Sequence, residues 1–220
     1  MPTPRTRIRR VPDRAAYDRD TINEILDEGI VAHLGFVDGD QPYVIPTLYA
    51  RVEDTVYIHG SAASRAIRRC GEGIPACLTV TLVDGLVLAR AVFHHSMNYR
   101  SVMILGHCRP VTGATQREAA LAAFTERLIP GRWAEVRAPT AKELQATQVL
   151  TMNLDECSAK QRSGPPADDE PDYALPVWAG EIPLLTAPGP LIPDPRLSAE
   201  IRPSAVVSDW EPSARRHHHG

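Results

Sequence analysis

The feature that most constrains the fold is a series of short apolar runs separated by turn residues, which extends over residues 30–112. The runs are rich in Val, Ile and Leu, and polar segments such as "DGDQ" (38–41) and "EDT" (53–55) lie between them. This alternation is typical of antiparallel strands joined by hairpins. About six or seven short strands with few helices indicate a small antiparallel barrel, so we predict a mainly β fold.

Helices are predicted at four places: 14–29, 61–71, 114–130 and 140–148. No glycine-rich loop follows the first strand, which argues against a doubly wound α/β fold. Within the strand region, the dipeptide Asp84–Gly85 predicts a hairpin turn between the runs 75–83 and 86–93. The segment 149–162 begins with alternation and is predicted to form one closing strand.

Proline becomes frequent after about residue 160, and long periodic runs become rare. We therefore predict a barrel domain with an N-terminal helix over 1–162. A proline-rich loop and packing segment over 163–203 would complete that domain. Residues 204–220 are predicted to be a disordered tail, because few apolar residues and no periodicity leave little surface to bury.

Composition excludes several classes of partner and cofactor. The chain has 43% hydrophobic and 23% charged residues with a net charge of −3, as in a soluble globular protein without attraction for nucleic acid. No apolar run is long enough to span a bilayer, so no membrane partner is predicted. The four cysteines form no CxxC pair, which indicates no metal site and favours free thiols in the cytoplasm.

The stretch "YIHGSAASRAIRR" (57–69) places small and polar residues between a strand and a helix. The hydroxyls of Ser61 and Ser64, free backbone N–H groups and the guanidinium of Arg65 together suit a phosphate. The alternative is that Ser61 caps the helix and the arginines are solvated, and the spacing is not that of a P-loop.

The stretch "VFHHSMNYRSVMILG" (92–106) joins two apolar runs through polar residues. His94, His95 and Asn98 have groups that donate protons, accept them or bind a ligand. If the strand runs through the two histidines, they point to opposite faces. The alternative is a polar loop at the rim of a barrel.

These motifs resemble the pyridoxamine 5′-phosphate oxidase-like split-barrel flavoproteins, in particular the flavin-nucleotide-binding branch that includes the nitroimidazole-resistance proteins. The matching blocks span about His33 to Pro183: "VAHLGFVDGDQPYVIPTLYAR", "VYIHGSAASR", "LVLARAVFHHSMNYRSVMILG", "PGRW" and "VWAGEIPL".

The resemblance implies a homodimer of split antiparallel β-barrels with FMN at the subunit interface. It assigns the FMN phosphate to the segment that contains His59, Ser61, Ser64 and Arg65. It assigns the flavin ring to Pro46, Thr47 and Leu48 beneath it and to Asn98, Tyr99, Arg100, Ser101 and Val102 beside it. Lys160 and Trp178 are expected to reach the cofactor across the dimer.

The predicted function is that of an FMN-dependent oxidoreductase acting on an unknown small molecule, in which His94 or His95 donates a proton to the substrate. One alternative is a haem-binding or haem-degrading protein on the same barrel. Its potential axial ligands are His33, His59, His94, His95 and His107. A second alternative is a flavin-binding protein without catalytic activity.

Overall fold

The computed structural model describes residues 2–211 of the chain. Within them lie ten strands: β1 (Ala15–Ala16), β2 (Val31–Asp38), β3 (Gln41–Val52), β4 (Thr55–Ser61), β5 (Pro75–Leu88), β6 (Ser96–His107), β7 (Arg109–Pro110), β8 (Thr147–Asn153), β9 (Cys157–Arg162) and β10 (Gly180–Pro183). The α-helices are α1 (Arg19–Glu28), α2 (Arg65–Gly71), α3 (Ala114–Leu128), α4 (Ala141–Ala146) and α5 (Ala205–Ser208). The prediction of a mainly β fold with a few helices is confirmed.

The helix boundaries follow from capping residues. Helix α1 begins after Asp18, whose carboxylate accepts a hydrogen bond from the N–H of Thr21 at 2.8 Å. Thr140 and Glu143 form a reciprocal capping box at the start of α4. Helix α2 begins at Arg65, later than the sequence predicted, because residues 61–64 form a turn. No helix in residues 2–211 has the length and apolar character required to cross a membrane.

The described chain divides into two compact units, and each draws on segments that are distant in the sequence. The first unit comprises the residues up to Gly29 together with Leu78–Leu105 and Glu156–Thr186. The second unit comprises Ile30–Cys77, Gly106–Asp155 and the residues from Ala187 onward.

The sheet of the first unit has the order β1-β9-β6-β5-β10. Strands β1 and β6 both pair antiparallel with β9, and β10 pairs antiparallel with β5. Helix α1 buries Ile22, Ile25 and Leu26, which lie on one face at helical spacing. The core strands contribute alternating residues such as Val87 and Val102, in keeping with the two-residue period of a strand.

The predicted hairpin turn at Asp84–Gly85 is wrong, because β5 continues through both residues. Gly85 pairs with Pro183 of β10, and a Cβ atom at Gly85 would lie only 2.9 Å from the carbonyl oxygen of Ile182. The glycine therefore serves the close approach of a neighbouring strand, which is the other common reason for glycine within a strand.

The sheet of the second unit has the order β2-β3-β4-β8-β7. The pairings β2–β3, β3–β4, β4–β8 and β7–β8 are all antiparallel. Side chains such as Tyr49, Ile58 and Leu150 are almost completely buried. Ala120 and Phe124 of α3 are also buried, and so are Ala66, Ile67 and Cys70 of α2.

The single closing strand predicted over 149–162 is two strands, β8 and β9, which belong to different units. The break at residues 154–156 was hidden because Leu154 is apolar and continues the alternation. Leu154 is fully buried, and its N–H donates to the carbonyl of Asp54 rather than to a strand partner.

The C-terminal segment has little regular structure before α5. Beyond α5, the indole N–H of Trp210 donates to the carbonyl of Leu128 at 2.6 Å, at the end of α3. Val206 contacts the backbone at Gly131, where a Cβ atom would lie 3.1 Å from its methyl group. These contacts involve the first residues of the predicted tail, and residues 212–220 lie outside the described part.

Candidate functional site

An exposed apolar surface covers one side of the β2–β3 pair in the second unit, and we call it the β2–β3 face. The antiparallel register forms it from four cross-strand pairs: Val31 with Leu48, His33 with Pro46, Gly35 with Val44, and Val37 with Pro42. Val44 alone exposes 68% of its surface. Isolated exposed apolar residues are common, but a contiguous patch marks a surface that binds something.

The residues predicted to lie beneath the flavin ring divide between the two sides of β3. Pro46 and Leu48 lie on the β2–β3 face, since residues two apart in a strand share a side. Thr47 lies on the opposite side, and its hydroxyl donates to the carbonyl of Leu48 at 3.0 Å. Only two of the three residues are therefore available to a ligand on this face.

The predicted phosphate segment is a turn between β4 and α2. The hydroxyl of Ser61 accepts a hydrogen bond from the N–H of Ala63 at 3.2 Å. Ser64 precedes the first helical residue, but its side chain makes no capping bond to the helix. The hydroxyl of Ser64 therefore has no capping role that would compete with an external acceptor.

Arg65 is half-exposed beside this turn. Its guanidinium lies 4.9 Å from the centre of the Tyr43 ring, in cation–π contact. Asp38 is 3.9 Å away from Arg65, whereas it binds Arg69 at 2.8 Å. Because the carboxylate of Asp38 is engaged mainly with Arg69, Arg65 keeps donors for an anionic ligand. The residues of this segment fit a phosphate.

His59 is placed next to the turn but faces the interior of the second unit. Its ring meets the ring of Phe124 edge-on, with the centres 4.3 Å apart. Nδ1 has no hydrogen-bond partner in the described part of the chain. Burial lowers the pKa of His59 below its ordinary value, because the charged imidazolium is poorly solvated there.

The predicted site residues on β6, in the first unit, point alternately to the two sides of the strand. Asn98, Arg100 and Val102 share one side of the strand, and Tyr99 and Ser101 share the other. Val102 is fully buried and belongs to the core. The hydroxyl of Ser101 donates to the carbonyl of Lys160 at 3.1 Å across the β6–β9 pair.

Asn98 is buried and holds together two charged side chains that the sequence did not indicate. Its amide NH2 donates to the carboxylate of Glu181, and its amide oxygen accepts from the guanidinium of Arg162. Arg162 also donates to the carbonyls of Gly164 and Pro165, at 2.8 and 2.9 Å. No sequence motif points to Arg162 or Glu181, because their relation to Asn98 depends on strand pairing.

This cluster borders a polar cavity of ≈ 400 Å³ within the first unit. Most of the lining residues carry charged, amide or hydroxyl side chains: Asp84, Gly85, Asn98, Arg100, Gln161, Arg162, Ser163, Gly164, Glu181 and Pro183. Such a lining suits a ligand part with several hydrogen-bonding atoms.

Arg100 makes two carboxylate contacts that tie three elements together. Its guanidinium donates to Glu28 at the end of α1, with one bond of 2.7 Å, and to Asp84 of β5 at 2.7 and 3.0 Å. Hydrogen bonds from Glu28 and then Asp84 raise the pKa of Arg100 above its ordinary value. Two carboxylates offset its charge, so it gives this region no net positive charge.

His94 and His95 do not lie in a strand, so the alternation argument does not apply to them. Val92–His94 is a turn of 3-10 helix. Nε2 of His94 lies 3.4 Å from the carboxylate of Asp169, and Nδ1 of His95 lies 3.1 Å from the carbonyl oxygen of Ala91.

Asp168 anchors the start of this turn. Its buried carboxylate accepts from the backbone N–H groups of Arg90 and Ala91 at 2.9 and 3.3 Å, and from the Arg90 guanidinium at 3.1 Å. Burial alone would raise the pKa of Asp168, but these hydrogen bonds lower it. Val92 and Phe93 are each 90% exposed on the turn that Asp168 holds.

Lys160 and Trp178, expected to reach a cofactor across a dimer, have different surroundings in the first unit. The ammonium of Lys160 donates to the carbonyl of Arg10 at 3.1 Å. Trp178 exposes 66% of its surface just before β10, and its ring packs against Gly180. Trp178 is thus open to a partner.

The strands and helices define a split antiparallel β-barrel protein, as the resemblance implied. Residues 18–161 match the sequence model of the pyridoxamine 5′-phosphate oxidase family, and the chain belongs to that family. A search of curated protein sequences gave no significant match.

Two solved structures resemble the chain over almost its whole length. The flavocytochrome Anf3 from Azotobacter vinelandii is 40% identical and has a TM-score of 0.91, over 96% of this chain and 98% of its own. The FAD- and haem-binding protein from Mycobacterium smegmatis is 35% identical with a TM-score of 0.86, over 89% and 96%.

A third structure shares the fold over a shorter region. It is a Bacteroides thetaiotaomicron protein named for resistance to 5-nitroimidazole antibiotics, 19% identical with a TM-score of 0.55. It covers 66% of this chain and 85% of its own. The predicted relationship to the branch that includes such proteins is confirmed at the level of the fold.

Proposed function

We propose that this chain is a flavin- and haem-binding redox protein that transfers electrons to or from a small molecule and works as a homodimer. The observation that carries the proposal is the likeness to two proteins whose names pair a flavin with a haem, at 40% and 35% identity over 96% and 89% of the chain. The sequence presented FMN and haem as alternatives, whereas these relatives combine a flavin with a haem.

FAD is the flavin that we propose, because the name of the mycobacterial protein specifies it. FMN was the flavin predicted from the sequence. A bound flavin supplies hydride and single-electron chemistry, and the protein binds it, orients it and adjusts its potential. In this chain the groups suited to a flavin phosphate are Ser61, Ser64 and Arg65.

The absorption spectrum of the purified protein tests the proposal. A flavin gives two bands in the near-ultraviolet and blue, and haem adds an intense Soret band. Release of the flavin and chromatography against FAD and FMN standards identify it. FMN alone would overturn the FAD assignment, and a colourless protein that takes up neither cofactor would overturn the whole proposal.

Arg65 allows a test at one residue. Removal of one charge-assisted hydrogen bond costs about 1.5–3 kcal/mol, so Arg65→Ala is expected to weaken flavin binding by roughly ten- to a hundredfold. Arg68→Ala is the matched control, because Arg68 is an exposed arginine of the same helix. Equal flavin affinities in the two variants would remove Arg65 from the site.

We also propose catalysis, in which a bound flavin would pass electrons from a donor to a small-molecule acceptor. Reduced nicotinamide is the donor used in the assay. His94 and His95 remain the proposed proton donors. His94→Gln and His95→Gln are each expected to keep the flavin and at least one to slow turnover. If neither variant changes turnover with any acceptor that the wild type reduces, the two histidines have no catalytic role.

The homodimer rests on the β2–β3 face and on the exposed Trp178. A second copy is the proposed partner because six of the eight residues on this face carry exposed apolar side chains, whereas exposed apolar residues on a monomer surface are usually scattered. Sedimentation is expected to give twice the 24.1 kDa chain mass. A monomer with full flavin affinity would contradict a shared site.

A further inference from the structure

Two of the four cysteines lie next to each other inside the second unit, and we call Cys70 and Cys108 the thiol pair. Cys70 is near the end of helix α2, and Cys108 lies between strands β6 and β7. Both side chains are buried, and the two thiols are hydrogen-bonded to each other. The other two cysteines, Cys77 and Cys157, are partly exposed.

Contacts on both sides of the thiol pair hold the two backbones together. Nδ1 of His107 lies 2.8 Å from the carbonyl oxygen of Gly73, just beyond helix α2. A Cβ atom at Gly71 would lie 3.8 Å from the side chain of Pro110 in strand β7. The sequence neighbours of one cysteine thus contact those of the other. A disulfide needs such close backbones, with Cα atoms about 4.4–6.8 Å apart.

The hydrogen bond gives the two sulfurs of the thiol pair different acidities. The bond from the Cys108 thiol lowers the pKa of Cys70; burial opposes this effect, and the positive charge of Arg69 adds to it. The bond to Cys70 raises the pKa of Cys108, and so does burial. The thiolate is the nucleophilic form of a cysteine, so Cys70 is the more reactive sulfur and Cys108 keeps its proton.

We infer that Cys70 and Cys108 form a reversible disulfide when the protein meets hydrogen peroxide. The thiolate of Cys70 attacks one peroxide oxygen and the O–O bond breaks, which leaves a sulfenic acid at Cys70. The other oxygen leaves as hydroxide and becomes water with the proton that Cys70 released. The sulfur of Cys108 then attacks the sulfur of Cys70 and the S–O bond breaks. The second oxygen leaves as water with the proton of Cys108, and the two sulfurs have together lost two electrons.

The bond would join the end of helix α2 to the start of strand β7. Arg65 is the first residue of the same helix, so oxidation would attach the helix of the phosphate segment covalently to the sheet. Because both sulfurs are buried, peroxide reaches them only when the end of α2 separates from β7. Oxidation of the pair is therefore expected to be slower than oxidation of a partly exposed thiol. None of these steps depends on a bound flavin or haem.

The experiment uses the full-length protein, reduced with dithiothreitol and then freed of it. Hydrogen peroxide is added, and the remaining thiols are labelled with N-ethylmaleimide in denaturant. The wild type is expected to lose the label at two of its four cysteines and to regain it after dithiothreitol. Cys70 and Cys77 share one tryptic peptide, so the link is mapped in Cys77→Ser, which retains the thiol pair. A peptide that joins Cys70 to Cys108 is expected there.

Three results would overturn the inference. Full labelling of the thiol pair at a peroxide dose that oxidises Cys157 would show that the pair does not react. A sulfinic acid at Cys70 without a link would show that Cys108 does not reach the oxidised sulfur. A link that forms only after the protein has been unfolded in urea would belong to the unfolded chain and not to this structure.

Two variants with matched controls test the partner and the opening step. Cys108→Ala is expected to stop at an oxidised Cys70 without a link, whereas Cys157→Ala is expected to form the link as the wild type does. His107→Ala removes the contact to Gly73, so the pair opens more often and the link is expected to form roughly two- to tenfold faster. Gln116→Ala, at an exposed residue of α3 in the same unit, is the control. Equal rates in these last two variants would overturn the proposed opening at the end of α2.

Discussion

The two units differ in how their polar side chains are paired and in how their exposed apolar side chains are arranged. In the first unit, charged and amide groups lie within the fold and are paired: Arg100 with Glu28 and Asp84, and Asn98 with Arg162 and Glu181. The second unit also contains ion pairs, but its β2–β3 face gathers exposed apolar side chains on one side of a strand pair. In the first unit, by contrast, Phe93 is exposed on a turn and Trp178 on the segment before β10. Paired polar groups fix strands and helices, whereas uncovered apolar surface is available for a partner or a ligand. The difference separates residues that maintain the fold from surfaces that bind.

The largest effect is expected on dimerisation, from a charge placed on the β2–β3 face. Val44→Lys puts an ammonium in the middle of that face, and an unpaired charge in a buried interface costs about 2–5 kcal/mol. If a second copy covers the face, sedimentation shows dissociation into monomers. Val83→Lys, at an exposed valine of the first unit, is the control and is expected to leave the dimer intact. Two variants that remain equally dimeric would show that the face is not the dimer contact.

A substitution of Arg100 tests whether the paired charges of the first unit stabilise the fold. Arg100→Met leaves Glu28 and Asp84 without a cation, and because the three groups are only partly buried we expect a loss of about 2 kcal/mol in the free energy of unfolding. Urea unfolding measures this loss, and adding Glu28→Gln and Asp84→Asn is expected to restore part of it.

The control for Arg100 is Arg137→Met, which removes an arginine from an exposed pair with Glu143 and is expected to change the free energy of unfolding far less. If Arg100→Met keeps its stability but lowers the midpoint potential of the bound flavin, Arg100 is a cofactor residue and not a structural one.

Asp168→Asn is expected to lower the free energy of unfolding by a smaller amount, and this amount depends on pH. Its pKa is lower in the folded protein than the ordinary value of 3.8, so its contribution is complete above about pH 5. The contribution disappears as the pH falls through the lowered pKa, because protonation removes the charge that the Arg90 and Ala91 donors stabilise. Unfolding curves of the wild type and Asp168→Asn between pH 7 and pH 3 are expected to converge. A constant difference over that range would exclude the charge as the cause.

The smallest expected effect is the change that His59→Gln makes in the pH dependence of the free energy of unfolding. Its pKa is depressed below 6.5 in the folded protein, so the unfolded chain takes up the proton first as the pH falls. The stability that the neutral ring gives is present above 6.5 and disappears as the pH falls toward the lowered pKa. His59→Gln is expected to flatten this part of the stability curve between pH 7.5 and 5. An identical slope in the variant would assign the pH dependence to other histidines.

Local patterns predicted much of the fold. Alternation identified the strands from β2 to β4, and spacing identified the helices α1 and α3, because both signals are contained in a few neighbouring residues. The turn predicted at Asp84–Gly85 failed since the same dipeptide also serves a close approach by β10, which lies almost one hundred residues later. No local pattern contains that information.

The residues of the candidate site also divide into those that a local sequence motif predicted and those that only the fold brings together. The segment with Ser61, Ser64 and Arg65 is continuous in the sequence, so its chemistry was visible there. Arg162 and Glu181 meet Asn98 only through the pairing of strands. The role of Arg100 was also hidden, because its two carboxylates lie 72 and 16 residues away along the chain.

The turn that Asp168 anchors has a consequence for the strength of association. Val92 and Phe93 directly follow two residues whose backbone N–H groups are bound by the carboxylate of Asp168. A surface that covers these two side chains loses little further chain entropy, whereas a free loop would lose about 1–2 kcal/mol for each residue it orders. Burial of Phe93 therefore loses less free energy to chain ordering than burial of the same side chain on a free loop would.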